Sequence, residues 1–541
     1  MKVCEAMVKC LEAEGVPVIF GYPGAAICPF YDALSRSSIR HILVRTEQSA
    51  AHAASGFSRI SGRCGVCSAT SGPGATNLIS GIAAAYMDSI PLVILTGQVD
   101  SRLLGRDVFQ EADITGAVEP FIKHSYLVKN EKEICRIIKE AFYIAQSGRP
   151  GPVLVDVPMD VQGRETRFDY PKKAEIRSYK PSSKGHPGQI RRAAEAIAHA
   201  DRPLLLAGGG VFGSGAGKVL EEFLAKAKMP AVHTMMGIGA LPEGYPLNLG
   251  MVGVHGVRAA NLAIGRADLL LLAGTRIADR SVPDPSLLAK DKKVIHIDID
   301  PAEIGKNVEA TIPIVGDLRL ILEQLLEEIQ LISFPDWERE TEVYRKAPLT
   351  LPLTGHFVSP HLLLKELFRR MEPGAVFCAD VGQNQIWAAR MFRLPGGRFL
   401  TSGGMGTMGY AIPAALGAKA AAPERQVIAA CGDGAFQMSM MELATMVQHN
   451  LPVKLIVFAN SRLGMVRELQ EREYGRTEAV NLDGSPDFVK LAGAYGIPAF
   501  RAEDNGGIPG ALDLFFAEKG PVLLEVRVDP EEPTLPRDYY E

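Results

Sequence analysis

Gly432-Asp433-Gly434 is followed, after twenty-five intervening residues, by Asn460. An apolar run precedes each end: Gln426-Val-Ile-Ala-Ala-Cys before the glycines, Pro452-Val-Lys-Leu-Ile-Val-Phe before the asparagine. Read as neighbouring parallel strands, the runs bring Asp433 and Asn460 to one edge of a sheet. Glycines beside a carboxylate let backbone N–H groups approach a phosphate, and a following helix, expected over residues 436–449, favours the anion at its start. Mg²⁺ selects a carboxylate and other oxygens at close range, completed by phosphate. The pair predicts a magnesium diphosphate clamp. A lone Gly-Asp-Gly is an ordinary turn; Asn460 beyond the next strand gives it weight.

A second carboxylate lies nearly four hundred residues earlier. Leu43-Val-Arg-Thr-Glu47-Gln48 reads as a strand ending in Glu47. A lone Glu is ordinarily a solvated surface residue. Here Ser49, Ala50, Ala51, Ala53 and Ala54 let a helix pack closely behind it. Thr70-Ser71-Gly72-Pro73-Gly74 makes a turn that opens another helix through Asn77. A carboxylate held among small apolar groups is suited to sharing a proton.

These residues need sheets to present them. Apolar runs alternate with helical stretches and Gly-rich turns, the pattern of α/β, doubly wound parallel sheets. Residues 16–20 and 92–96 read as buried strands. Residues 50–59 and 131–147 read as helices, and an amphipathic helix covers Met1 to about Glu14. At 541 residues the chain exceeds one core. Two polar, proline-bearing stretches, 169–188 and 333–355, read as linkers. They leave three blocks: 1–168, 189–332 and 356–541. In the middle block, strands run into Gly208-Gly209, into Gly274-Thr275-Arg276 and into Asp298. Nucleotides bind at such strand ends, although many are only tight turns.

The bulk numbers exclude several classes. A net charge of −4 with dispersed Lys and Arg argues against nucleic acid. No apolar stretch reaches membrane-spanning length, and the opening residues lack the regions of a signal peptide, so a cytoplasmic protein is expected. Of eight cysteines, Cys64 and Cys67 form a C-x-x-C. No second pair completes a zinc site, and both are expected in a buried strand.

The chain resembles the catalytic subunits of the acetohydroxyacid synthase (acetolactate synthase) family of thiamin-diphosphate enzymes. Matching stretches include Gly21-Tyr-Pro-Gly24, Glu47-Gln-Ser-Ala-Ala-His52, Phe109-Gln110-Glu111, Gly250-Met-Val-Gly-Val-His-Gly256 and Thr401-Ser-Gly-Gly-Met-Gly-Thr-Met408-Gly409. The resemblance spans all three blocks and implies pyrimidine-binding, central nucleotide-binding and diphosphate-binding domains. It implies that Glu47 hydrogen-bonds the cofactor's aminopyrimidine, with Gly24, Phe109 and Gln110 facing the reacting carbon. Thr70, Pro73 and Asn77 belong to the same half. Met408 becomes the wedge that bends the cofactor, and the Gly406 carbonyl accepts from its amino group. Val381, Gly382, Gln383, Asn384, Gly434, Ala435, Gly464 and Met465 line it, with Asn384, in place of a usual histidine, still able to donate to the diphosphate. Asp433, Asn460 and the Arg462 carbonyl hold Mg²⁺.

In the middle block the resemblance implies FAD, bound without redox turnover. Its residues are Arg149, Gly208, Gly209, Met251, His255, Gly274, Arg276, Asp279, Arg280, Asp298 and Asp317; a nucleotide fold without ligand is the alternative. The implied activity is two-carbon transfer from pyruvate to a second 2-oxo acid, pyruvate or 2-oxobutyrate, in branched-chain amino-acid biosynthesis. The implied assembly is a homodimer or tetramer with Glu47 and Asp433 of different chains in one site, and a small regulatory subunit is a possible further partner.

The chain departs from the family pattern at Ala25, Met159, Asn384, Ala459, Leu469 and the Arg276-Ile-Ala-Asp-Arg280 stretch, and its last residues lack the usual capping tail. Leu469 stands where a tryptophan usually closes the substrate channel, which puts the preference for 2-oxobutyrate in doubt. A sister carboligase such as a sulfoacetaldehyde acetyltransferase, a catabolic acetolactate synthase without FAD, a flavin or nicotinamide oxidoreductase and a non-catalytic paralogue are the competing readings. A plain dinucleotide enzyme has no need of Glu47 and the Asp433–Asn460 pair, and their retention argues against a non-catalytic role.

Overall fold

The protein is described by a computed structural model covering residues 1–282, 284–346 and 356–535. Its frame is three six-stranded sheets, each wholly parallel. The first contains β1 (Val18–Tyr22), β2 (Arg40–Leu43), β3 (Gly65–Ala69), β4 (Leu92–Gln98), β5 (His124–Leu127) and β6 (Pro152–Pro158), in the order β2-β1-β3-β4-β6-β5. The second contains β7 (Pro203–Ala207), β8 (Ala231–His233), β9 (Asn248–Met251), β10 (Leu269–Ala273), β11 (Lys293–Asp298) and β12 (Ile312–Val315), in the order β12-β11-β10-β7-β8-β9. The third contains β13 (Val376–Ala379), β14 (Arg398–Leu400), β15 (Val427–Gly432), β16 (Lys454–Ala459), β17 (Ala499–Ala502) and β18 (Val522–Arg527), in the order β14-β13-β15-β16-β18-β17. Central strands such as β4, β7 and β10 are buried along their whole length, as parallel strands covered on both faces must be.

The first and third sheets share a core. Helix Glu47–Ser61 of the first packs against helix Ala411–Ala421 of the third, and Ala50, Ala53, Ala54, Ala414 and Ala418 are fully buried in one apolar cluster. Glycines make this approach possible. A Cβ on Gly417 would come 1.8 Å from the Ala53 carbonyl oxygen, and one on Gly56 would come 2.0 Å from that of Ala414. Ala53 therefore lies opposite Gly417 and Gly56 opposite Ala414, so the two helices run antiparallel.

Three expectations need correction. Glu47 does not end a strand: β2 stops at Leu43, and Glu47 opens a helix that Thr46 caps by accepting the Ser49 N–H. The helix expected over 436–449 is broken into Asp433–Gln437, a 3-10 turn at Met440–Glu442 and Leu443–His449. The stretch read as a linker at 333–355 contains helix Pro335–Arg345, whose Trp337 is buried in the second core and donates to the Pro203 carbonyl. One tryptophan facing inward outweighed the polar composition around it. Residues 347–355 and 536–541, within the expected linker and the end of the third block, lie outside the described residues.

Cys64 and Cys67 are free and buried, Cys67 within β3, as expected of core cysteines. Burial pushes the Cys67 thiol up to about 12. Among the described residues no helix is long and apolar enough to cross a membrane.

Candidate active site

In the third sheet the register pairs Gly432 with Phe458, so Asp433 and Asn460 emerge side by side at the carboxyl ends of β15 and β16. The Asp433 carboxylate accepts the N–H groups of Gly434 (2.9 Å) and Ser461 (2.6 Å). Asn460 Oδ1 accepts the Arg462 N–H at 3.1 Å, and its amide nitrogen donates to Gln383 Oε1 at 3.0 Å. Burial raises the Asp433 carboxyl to about 6 against these bonds, a carboxylate short of compensating positive charge. Arg462 bridges to Asn481 through bonds from the flanking residues, Leu463 N–H to Val480 and Leu482 N–H to Ser461, so its own carbonyl is not spent there. Among the described residues no three His, Cys, Asp or Glu gather as a metal cluster. Mg²⁺ held through diphosphate oxygens and water needs only one or two side chains.

The cradle continues at the end of β13. Gly382 has φ +145°, open to glycine, and a Cβ there would meet Asn384 Oδ1 at 2.9 Å. The Asn384 amide donates to the carbonyls of Asp380 (3.0 Å) and Ala430 (3.1 Å), while its buried Oδ1 has no partner. With its donor committed, Asn384 presents an acceptor to the cradle, suited to a metal-bound water or an N–H and not to phosphate oxygen. This corrects the expectation that it donates to the diphosphate. Gly464 is glycine because Gln383 lies over it: a Cβ would come 1.9 Å from Gln383 Oε1. Gln383 in turn donates to Glu468 (2.8 Å) and the Glu532 carbonyl (2.7 Å). Ala435 is buried and Met465 half-buried at the starts of their helices.

Met408 rises beside this cradle, its Cε 3.5 Å from where a Cβ on Gly434 would stand. Two carboxylates, buried Asp380 and half-buried Asp88, clamp its loop. Asp380 accepts the N–H groups of Val381, Gly409 and Ala411, and Asp88, from the first sheet's side, accepts those of Gly403 and Gly404. Burial pushes Asp380 up to about 6. Neither acid was picked out in the sequence, although Asp380 ends β13 as Asp433 follows β15. Gly406 (φ +64°) sits at the exposed tip.

The first sheet gathers the other half. Asn77 donates to Glu47 Oε2 at 3.0 Å, and a Cβ on Gly74 would lie 3.3 Å from Glu47 Oε1. Gly24 abuts Thr70, whose hydroxyl accepts the Ala26 N–H, and Pro73 opens the next helix. Gly72 (φ +57°) presses against Gln110, itself left-handed at φ +58°. Gln98 helps hold that turn, donating to the Ala112 carbonyl and to buried Asp156, both at 2.9 Å. Neighbouring Phe109 is 87% exposed, and Leu469 and Met159 are also open to solvent.

Glu47 and Met408 do not meet. Ala53 faces Gly417, so six residues on each antiparallel helix separate Glu47 from Ala411, about 18 Å along the pair at 1.5 Å per residue. Tyr410, next to Met408, instead reaches Ser55 (3.2 Å) and Arg59 (3.1 Å) at the far end of the Glu47 helix.

The chain matches three family descriptions: "Thiamine pyrophosphate enzyme, N-terminal TPP binding domain" over residues 1–117, "central domain" over 190–325 and "C-terminal TPP binding domain" over 380–526. It is 47% identical to a "Probable acetolactate synthase large subunit" of Methanocaldococcus jannaschii, across 98% of this chain and 93% of that one. The chain belongs to the acetolactate synthase large-subunit family. An "Acetolactate synthase" of Mycobacterium bovis is also 47% identical, across 98% and 89%, and the "Acetolactate synthase large subunit" of Corynebacterium glutamicum 44%, across 93% and 82%. It is a thiamin-diphosphate enzyme of transferase type.

In this acetolactate synthase relative the middle-sheet residues divide. β7 lies between β10 and β8, which puts the switch point at Gly208 and Gly274. A Cβ on Gly208 would stand 2.4 Å from the Gly274 carbonyl oxygen, so these glycines let two loops touch; Gly209 is less crowded, with Met236 at 3.3 Å. Arg149 pairs with Glu303 (2.7 Å) and Asp300 (3.3 Å), and Arg276 donates to the Met87 carbonyl and feels Arg149 and Asp298 nearby. Burial lifts the Asp298 carboxyl to about 6 and lowers His255 to about 4. Asp279 and Arg280 are exposed. Two residues have other duties: Met251 is packed in the core beside the third sheet, and Asp317 caps a helix through the Leu320 N–H.

Proposed function

We propose that this enzyme decarboxylates pyruvate and transfers the two-carbon unit to a second pyruvate or to 2-oxobutyrate. The observation that carries the reading is the placement of Asp433, Asn460 and Met408 around one cradle, with Glu47 held at the other end of the helix pair. Thiamin diphosphate, when bound, supplies the electron sink for decarboxylation. The protein's share is positional. Asp433, Asn460 and the Arg462 carbonyl would hold Mg²⁺ and so anchor the diphosphate. Met408 would support the cofactor from below, and Glu47 would hold a proton at the aminopyrimidine ring. Gln110 and Phe109 face the reacting carbon.

About 18 Å of the helix pair lies between Glu47 and the Met408 end of the same chain, too far for one group seated at Met408 to meet both. The site therefore takes Glu47 from a second copy, making a homodimer the minimum active unit. Solvent-open Phe109 fits a surface that a partner covers. FAD is placed at the β7–β10 switch point, where Gly209, Arg149, Arg276 and Asp298 lie together, without redox turnover. Asp317 and Met251 are left out of that site. We also assign the protein to the cytoplasm and to branched-chain amino-acid biosynthesis, with a small regulatory subunit as a further partner. Purified protein given pyruvate, Mg²⁺ and thiamin diphosphate is expected to form acetolactate, read as acetoin after acid treatment, and to show a flavin absorbance band. No product from pyruvate rejects the substrate assignment, and a colourless active protein rejects FAD.

A further inference from the structure

Glu442 is fully buried at the end of the 3-10 turn Met440–Glu442, a short step beyond the helix that Asp433 opens. Its carboxylate reaches across to the other half of the chain. Oε1 accepts the Arg45 N–H at 2.9 Å and Oε2 accepts the Thr445 hydroxyl at 2.6 Å. The Ser49 side chain lies near enough to favour the charged form of this carboxylate. Ser49 in turn receives the Thr46 hydroxyl at 2.9 Å, the residue that caps the Glu47 helix. Among the described residues no arginine forms an ion pair with Glu442: the Arg45 guanidinium goes to the Leu43 carbonyl (3.1 Å) and Gln448 Oε1 (2.6 Å). A buried carboxylate kept without a cation is costly, and as packing alone an apolar side chain would serve better.

The neighbouring bonds serve the same end. The Leu43 N–H donates to His449 Nε2 at 2.9 Å, and Arg40 donates to the His449 carbonyl at 2.8 Å. Residues 440–449 thus form a socket for residues 40–49. Glu47 sits between Arg45, whose N–H Glu442 holds, and Ser49, whose side chain lies near the same carboxylate.

We propose that Glu442 is a positioning residue for Glu47, fixing the backbone before it and the helical turn after it so that its carboxylate leaves the helix in one direction. The proposal rests on the reading of Glu47 as the carboxylate at the aminopyrimidine. It has a consequence for the dimer. Glu442 belongs to the lobe that carries Asp433, so the Glu47 serving one site is braced by the lobe that builds the other.

The test uses Glu442→Leu and Glu442→Gln in the full-length enzyme. Glu442→Leu fills the space but leaves the Arg45 N–H without its acceptor; Glu442→Gln keeps an oxygen there. In cofactor-free protein, amide hydrogen exchange over residues 44–50 is expected to quicken at least tenfold in Glu442→Leu and to stay within threefold of wild type in Glu442→Gln. With cofactor, kcat is expected to fall at least tenfold in Glu442→Leu, while thiamin-diphosphate affinity and the KM for pyruvate change less than twofold. Glu442→Gln is expected to retain at least a third of kcat. Should Glu442→Leu fail to fold, Glu442→Asp, one methylene short of Arg45, is expected to show at least threefold losses in both readouts. Unchanged exchange and kcat in the folded variant overturns the proposal. Glu47→Gln, measured in parallel, separates the two readings: wild-type kcat there removes the role of Glu47, whereas an inactive Glu47→Gln beside an unaffected Glu442 variant removes only that of Glu442.

Discussion

Gly417 lies so close to Ala53 that a Cβ on it would stand 1.8 Å from the Ala53 carbonyl oxygen. This contact sets the antiparallel crossing of the two central helices and sends Glu47 to one end of the pair and Met408 to the other. Gly417→Val puts branched carbon into backbone that cannot retreat. Overpacking at this site is expected to cost at least about 3 kcal/mol, seen as a fall of several degrees in Tm. A wild-type Tm in that variant contradicts the crossing.

Glu47 carries the proton-handling role. Glu47→Gln keeps the shape and the contact with Asn77 but removes the acid. General acid–base groups contribute about 10²–10⁴-fold, so carboligation is expected to fall by at least 10²-fold. Circular dichroism and thiamin-diphosphate binding, read by isothermal titration, are expected to match wild type. Undiminished turnover contradicts the role.

The Asp433–Asn460 pair makes activity depend on a divalent cation. Exhaustive chelation is expected to abolish turnover, and added Mg²⁺ to restore it. In Asp433→Ala the Mg²⁺ concentration for half-maximal activity is expected to rise at least tenfold. An Asp433→Ala titration curve that overlays the wild type excludes Asp433 as a ligand.

His52 gives the helix pair a sensitivity to acid. It is buried against Tyr410, ring centroids 5.2 Å apart, with no hydrogen-bond partner on either nitrogen among the described residues. Burial lowers its pKa from 6.5 to about 4. Between those values the unfolded chain binds the extra proton, so stability is full above pH 6.5 and falls as the pH drops toward 4. The loss from this one group is about 3 kcal/mol. His52→Phe is expected to flatten the fall in Tm between pH 6.5 and 4.5 relative to wild type. Parallel pH profiles for the two proteins contradict it.

Much of this was legible in the sequence because it is local. Strand, glycine and acid in succession announced the Asp433 turn, and the next apolar run announced Asn460. The three sheets followed from alternating apolar runs and helices. What escaped depended on partners distant in the chain. Thr46, beside Glu47, is a local capping signal that a strand reading passes over, whereas the Glu442 that holds the Arg45 N–H lies almost four hundred residues later. Asp88 and Asp380 read as ordinary turn acids until the loop they clamp is seen between them. Asp317 enters the FAD set only through the resemblance, and its place before a helix leaves its carboxylate capping that helix through the Leu320 N–H. Asn384 kept its polarity but not its expected direction, because two backbone carbonyls claim its donor.

The central claim is that one active site draws Glu47 from one chain and Asp433 from another. Co-expression of Glu47→Gln and Asp433→Ala chains, each with its own affinity tag, yields hybrid dimers after tandem purification. Each hybrid has one site with both residues intact and one with neither. The account predicts that the hybrid forms acetolactate at about half the wild-type rate, at an Mg²⁺ concentration that leaves each variant alone with little activity. A hybrid no more active than its parents contradicts it.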